Sequence, residues 1–125
     1  MNGEVRTRSG HVCEDAARAA KDIVLYFYTN VDKLNFSELR HLDEYIQRTL
    51  KDDPNHVFFL TGSADKGTGT FERNAFLCRS RAYNVRDILI RDYGVKPENV
   101  IIKATIISDK HLDGALDRCV LIERQ

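Results

Sequence analysis

Arg81 is the residue whose chemistry most needs an explanation. With Asn74 set at zero and about 100° of rotation per residue, Leu77, Cys78, Ala82, Val85, Ile88 and Leu89 fall within roughly 80° on either side. Arg81 falls near the middle of the same face. The spacing therefore predicts a guanidinium on the buried side of a helix. A guanidinium keeps its proton, so burying it without a partner is costly. It needs an anion, from this chain or from a ligand. Asp65, closing the run Gly62-Ser63-Ala64-Asp65, is the nearby carboxylate. The plain alternative is a structural ion pair tying a strand end to a helix, which is weak evidence of function.

Other residues that could do chemistry are less telling. The loop Lys66-Gly67-Thr68-Gly69-Thr70 has the glycines of a phosphate cradle, but its lysine precedes them and the nucleotide-loop order is absent. Cys78 reads as a small core residue, because no histidine stands close in sequence to activate it. The three cysteines (Cys13, Cys78, Cys119) form no CxxC pair, and an odd count excludes complete internal pairing. The four histidines (His11, His41, His56, His111) lack metal-ligand spacing. The expectation is therefore no metal, no cofactor and no enzyme, since no base–nucleophile pair stands out.

Composition bounds the partners. The 125 residues are 42% hydrophobic and 30% charged, as in an ordinary globular domain. The formal net charge of zero gives no global field toward nucleic acid or an anionic membrane, and there is no regular basic stripe. No apolar run reaches the length of a membrane span, so the chain is not expected to span a membrane itself. Met1 to Ser9 is polar and basic without a secretory apolar region, and no lipoprotein-type apolar segment precedes Cys13. The reading is a cytoplasmic chain or an excised piece of something longer.

The elements that must position Asp65 and Arg81 are legible. Residues 1–21 read as a flexible or adapter segment, with an Ala-rich stretch from Glu14 to Lys21 suited to a short helix; residues 22–125 read as one domain. Asp22 to Asn30 is β-branched and aromatic, hence a strand, with Tyr26 and Tyr28 on its second face. A helix capped by Asn35 or Ser37 runs to about Lys51, with Leu39, Leu42, Ile46 and Leu50 at helical spacing. His56 to Thr61 reads as a buried strand. The long helix spans Phe71 to Tyr93, with Gly94 at the position that favours a left-handed residue. Arg73, Arg79, Arg86 and Arg91 point away from its core face. Strands follow from Asn99 to Ser108 and from Arg118 to Arg124, with a loop or short helix between. The order β-α-β-α-β-β implies an α/β sandwich: a mixed four-stranded sheet with helices packed on one face. The two crossovers imply parallel pairs, and the short last connection allows an antiparallel final strand.

This order and its spaced polar positions resemble the OmpA-like domain, a peptidoglycan-binding module of outer-membrane porins, lipoproteins and flagellar stator proteins. The matching residues are Gly62-Ser63-Ala64-Asp65, then Asn74, Leu77-Cys78-Arg79-Ser80-Arg81-Ala82, Tyr93-Gly94-Val95 and Asp117-Arg118-Cys119-Val120, with Phe27 and Leu39 fitting the first strand and helix. The resemblance covers about residues 22 to 124. The chain departs from the pattern at Ala64, where threonine is usual, at Cys78, at Asp117-Arg118-Cys119, and in a loop from Asp65 to Asn74 about one residue longer than the common form.

The resemblance implies that Asp65 and Arg81 clamp diaminopimelate, the zwitterionic amino acid of the peptidoglycan stem peptide. The carboxylate would take its ammonium and the guanidinium its carboxylate. Backbone N–H groups of the Gly67–Gly69 loop and of the helix N-terminus would add donors. Asn74 would hold the loop or touch the ligand, and Arg118 would flank the cleft or remain an exposed strand-end charge. The implied function is non-catalytic tethering of the outer membrane to the cell wall, in the periplasm, through an anchor or barrel outside this sequence. The rival reading is a divergent OmpA-like scaffold or protein-interaction domain that no longer binds peptidoglycan, with a homodimer left open.

Overall fold

The computed structural model describes residues 22–108 and 114–124; the expected N-terminal adapter lies outside the described residues. Strand β1 covers Ile23–Tyr26, helix α1 Phe36–Asp52, strand β2 Phe58–Asp65 and helix α2 Phe71–Tyr93. Strand β3 covers Val100–Ser108 and strand β4 Cys119–Arg124, each preceded by a short 3₁₀ turn.

Local chemistry sets the helix limits. The Asn35 side chain accepts the Glu38 N–H at 2.9 Å, and the Glu38 carboxylate in turn accepts the Tyr26 N–H at 2.7 Å. One cap thus closes α1 and ties it to the end of β1. Thr70 caps α2 by accepting the Arg73 N–H at 3.1 Å. Gly94, at φ 69°, ends α2 in the left-handed conformation that glycine adopts without strain.

The sheet order is β1-β4-β2-β3. β2 and β3 are parallel, while β4 runs antiparallel to both β1 and β2. β1 and β2 point the same way, as a crossover requires, but they do not pair: the last strand enters between them. The burial of β4 accounts for this. Val120 and Ile122 lie in the helix-side core and Cys119 is buried on the other face, so the strand needs a neighbour on each edge. A register slip between Leu60 and Thr61 leaves Lys103 of β3 without an opposite residue, a bulge that increases local twist.

Both helices cover one face. Leu42, Tyr45 and Ile46 of α1 and Val85 and Leu89 of α2 pack on Ile23, Leu25, Phe58, Leu60, Val120 and Ile122. The α1 stripe is rotated from the expected one: Leu39 is 39% exposed, and Tyr45 and Thr49 are buried beside Leu42 and Ile46. β1 is shorter than the span from Asp22 to Asn30, because its partner begins at Cys119, opposite Tyr26. Tyr26 packs with Val24, Cys119 and Leu121, but Tyr28 lies beyond the strand and is 66% exposed. β2 is longer than expected and runs on to Asp65, with β3 beside it as far as Ser108.

Candidate functional site

Small residues bring α2 down onto β2. A Cβ on Gly62 would lie 2.2 Å from the Cys78 carbonyl oxygen and 2.9 Å from the Ala82 Cβ. Ala64 and Cys78 complete the crossing, with Leu77. Cys78 is thus the small core residue its surroundings require. This close approach carries Arg81 over the end of β2, on the buried face, as its spacing predicts.

Arg81 is fully buried, and its partners are not carboxylates. Nε donates to the Val31 carbonyl at 2.9 Å, Nη1 to the Ser63 carbonyl at 3.0 Å and Nη2 to the Tyr28 carbonyl at 3.2 Å. The guanidinium carbon stands 5.2 Å from the Phe27 ring centroid, a cation–π contact. Burial first, and then the charge of Arg118, lower its pKa to about 10, so it stays protonated at neutral pH. The ion pair between Arg81 and Asp65 that the sequence suggested is not formed. The charge is solvated by main-chain dipoles that converge where β2 ends and the segment after β1 crosses α2.

Asp65 instead turns to its own loop and to Arg118, the residue before β4. Its Oδ1 accepts the Gly67 N–H at 2.9 Å, and its Oδ2 lies 3.5 Å from Arg118 Nη1. One of the loop donors expected to face a ligand is thereby taken by Asp65. Arg118 Nε is buried and has no hydrogen-bond partner among the described residues. Asn74 is buried and its Nδ2 donates to the Thr68 carbonyl at 2.7 Å, so it holds the loop in shape. The structure therefore brings Asp65 and Arg118 together directly, sets Arg81 next to Arg118 electrostatically, and ties Asn74 to the loop between β2 and α2.

The surrounding groups are polar and mutually bonded. Ser63 Oγ donates to the Asp117 carbonyl at 2.6 Å, and Ser108 Oγ donates to Asp117 Oδ1 at 2.8 Å. The Lys66 N–H donates to the Ser108 carbonyl at 2.8 Å. The ends of β2 and β3 and the start of β4 are thereby fixed to one another.

Sequence reasoning missed the segment after β1. Ser80 Oγ donates to Asp32 Oδ2 at 2.5 Å, Asn84 Nδ2 donates to the Asp32 carbonyl at 2.8 Å, and Arg73 Nε donates to Asn30 Oδ1 at 2.6 Å. The Ser80 hydrogen bond holds the Asp32 carboxyl below the usual aspartate range. Ser80 and Asn84 stand one helical turn apart beside the apolar stripe, a spacing that marks a polar docking edge.

No family model matches the sequence, and no curated protein matches it. Solved structures do resemble the fold. The peptidoglycan-associated lipoprotein from Burkholderia pseudomallei is 22% identical, with a TM-score of 0.68, over 82% of this chain and 89% of that one. The OmpA-like domain of FopA1 from Francisella tularensis is 19% identical, with a TM-score of 0.65, over 83% and 73%. The periplasmic domain of Helicobacter pylori MotB is 19% identical, with a TM-score of 0.60, over 81% and 79%. With β4 between β1 and β2, both helices on one face and Asp65 at the end of β2, the described chain has the fold of an OmpA-like domain.

Proposed function

We propose that this chain is a non-catalytic peptidoglycan-binding module that works in the periplasm and recognises the diaminopimelate-containing stem peptide. The observation that carries the reading is the partly open pair of Asp65 and Arg118 above the buried Arg81. The two side chains keep 10% and 16% exposure, and together they offer one acceptor and one guanidinium to a zwitterion. The fold is shared with proteins described as a peptidoglycan-associated lipoprotein and as a periplasmic domain of MotB, which supports the same assignment. Tethering of the outer membrane to the wall would follow if an anchor or barrel is joined to this domain.

The test is co-sedimentation with purified sacculi, followed by competition with free diaminopimelate. Retention that the amino acid displaces is the expected result. Absence of retention removes the assignment and leaves the scaffold reading, which the three main-chain bonds consuming Arg81 favour. A self-associating domain that ignores sacculi is the outcome that reading expects.

A further inference from the structure

Among the described residues, β1 and β3 are the outer strands of the sheet. β1 is 4 residues long and β3 is 9. Natural sheets guard a long edge with charge, proline or brevity. β3 holds no proline, and its one charge is drawn away from the edge: Lys103 Nζ donates to Glu123 Oε1 at 3.1 Å, reaching over β2 to β4. Ile101 and Ile106 lie on either side of it, 41% and 44% exposed. The faces of β3 alternate, and the bulge at Lys103 breaks the alternation once. Val100, Ile102, Thr105 and Ile107 stand beside Phe58, Leu60, Gly62 and Ala64, beneath the helices. Ile101, Lys103, Ala104 and Ile106 fall on the face that the helices leave open. From Val100 to Ile107 the order of faces is the same read from either end.

We propose that β3 pairs antiparallel with β3 of a second copy of this chain, joining two sheets across a two-fold axis that passes between Lys103 and Ala104. A two-fold contact requires one surface to match itself, which a foreign strand would not need. Opposite residues of an antiparallel pair share a face. In a regular strand that condition puts the axis on a residue; the bulge moves it between two. Only this register keeps every position from Val100 to Ile107 matched in face. Ile101 then meets Ile106 of the second copy, Ile102 meets its Thr105, and Lys103 meets its Ala104. Lysine does not stand opposite lysine, and each is held by Glu123 of its own chain. The contact is edge-on and small, so association is weak and grows with concentration. Asp65 and Arg118 lie on the other side of β3, toward β4, so the pairing is independent of the zwitterion-binding reading.

The experiment is sedimentation equilibrium of the full chain, with Cys13→Ser to prevent disulfide linkage, from micromolar to millimolar concentration. A monomer–dimer equilibrium is the expected result. Ile101→Glu and Ile106→Lys change exposed side chains, so each should keep the unfolding midpoint while lowering dimer affinity by about tenfold, because each alters two cross-strand pairs. The double variant Ile101→Glu with Ile106→Lys should recover the dimer, since each new carboxylate faces a new ammonium across the axis. The register is read a second way, without charge. In a mixture of Ile101→Cys and Ile106→Cys chains, a short bis-maleimide should link unlike chains and leave like chains unlinked. A wild type that stays monomeric throughout overturns the proposal and leaves the edge to some other strand. A dimer indifferent to both single variants, a double variant that stays monomeric, or links between like chains overturns it as well.

Discussion

Helix α2 crosses two regions of unlike chemistry that are equally dry. Its C-terminal half sets Val85 and Leu89 among Leu42, Ile46, Phe58, Leu60 and Ile122. Its N-terminal half buries Asn74 and Arg81, and Arg81 is no more exposed than Leu89. The apolar region coheres through area and shape, which are non-directional. The polar region coheres through donors and acceptors that must be matched one to one. Removing an apolar group therefore leaves a space, whereas removing a polar group leaves an unsatisfied partner. A ligand site suits the second kind of region, because matched bonds allow one arrangement where packing alone tolerates several.

Arg81→Ala is the strongest way to break this contrast. It orphans the carbonyls of Tyr28, Val31 and Ser63 and opens a space beside Phe27. Urea denaturation should show a loss of about 4 kcal/mol, or no folded state at all. Arg81→Met, which restores much of the volume, should recover little. A loss under about 1 kcal/mol would mean that the carbonyl cage does not hold the region together.

Leu89→Ala tests the other end and should cost about 3 kcal/mol through transfer and cavity terms. Here Leu89→Met should recover most of the stability, because apolar swaps of like volume usually cost less than about 1.5 kcal/mol. The diagnostic is the rescue by methionine at position 89 and its failure at position 81. Equal rescue at both would erase the distinction between the two regions.

The sequence reveals the apolar region more fully than the polar one, and the reason is range. Periodicity, the Gly94 cap and the inward phase of Arg81 are properties of one helix, so they can be read locally. Arg81's partners lie in other elements: Ser63 at the end of β2, and Tyr28 and Val31 about fifty positions away. Sequence reasoning seeks an opposite charge for a buried charge and so selects Asp65. It cannot count the main-chain dipoles that a fold brings together. The same limit explains β4: crossover rules give strand directions, but its place between β1 and β2 follows from burial on both faces. Asp65 was legible as a strand-end carboxylate. Its pairing with Arg118 depends on β4 lying next to β2.

Gly62→Ala sharpens the link between the two regions with a smaller effect. The new methyl would meet main chain at 2.2 Å, so α2 must lift off β2. Overpacking of this kind costs about 2 kcal/mol. The lift also carries Arg81 away from Ser63, so retention on sacculi should fall in step with stability. A variant of wild-type stability would show that the crossing has slack.

Asp32→Asn should give the smallest effect, and pH separates it from the rest. The Ser80 hydrogen bond holds the Asp32 carboxyl below the usual aspartate range, with Lys33 Nζ 3.8 Å from the carboxylate adding to the shift. A folded-state pKa lower than the unfolded one means that the unfolded chain binds more protons between the two values. The stabilisation is therefore complete above about pH 4 and is lost as the pH falls through the folded value. At neutral pH the variant should be less stable by about 1 kcal/mol, because a partly exposed charge-assisted bond is replaced by a neutral one. Below the folded-state value the two curves should converge, since the wild-type carboxyl is then neutral as well. Asp43, also held low by Tyr93 and Gln47, is the same in both proteins and cancels in the comparison. Curves that stay parallel across the acid limb would show that Asp32 acts through shape alone. The segment after β1 would then depend on Arg73 and Arg81 for its attachment to α2.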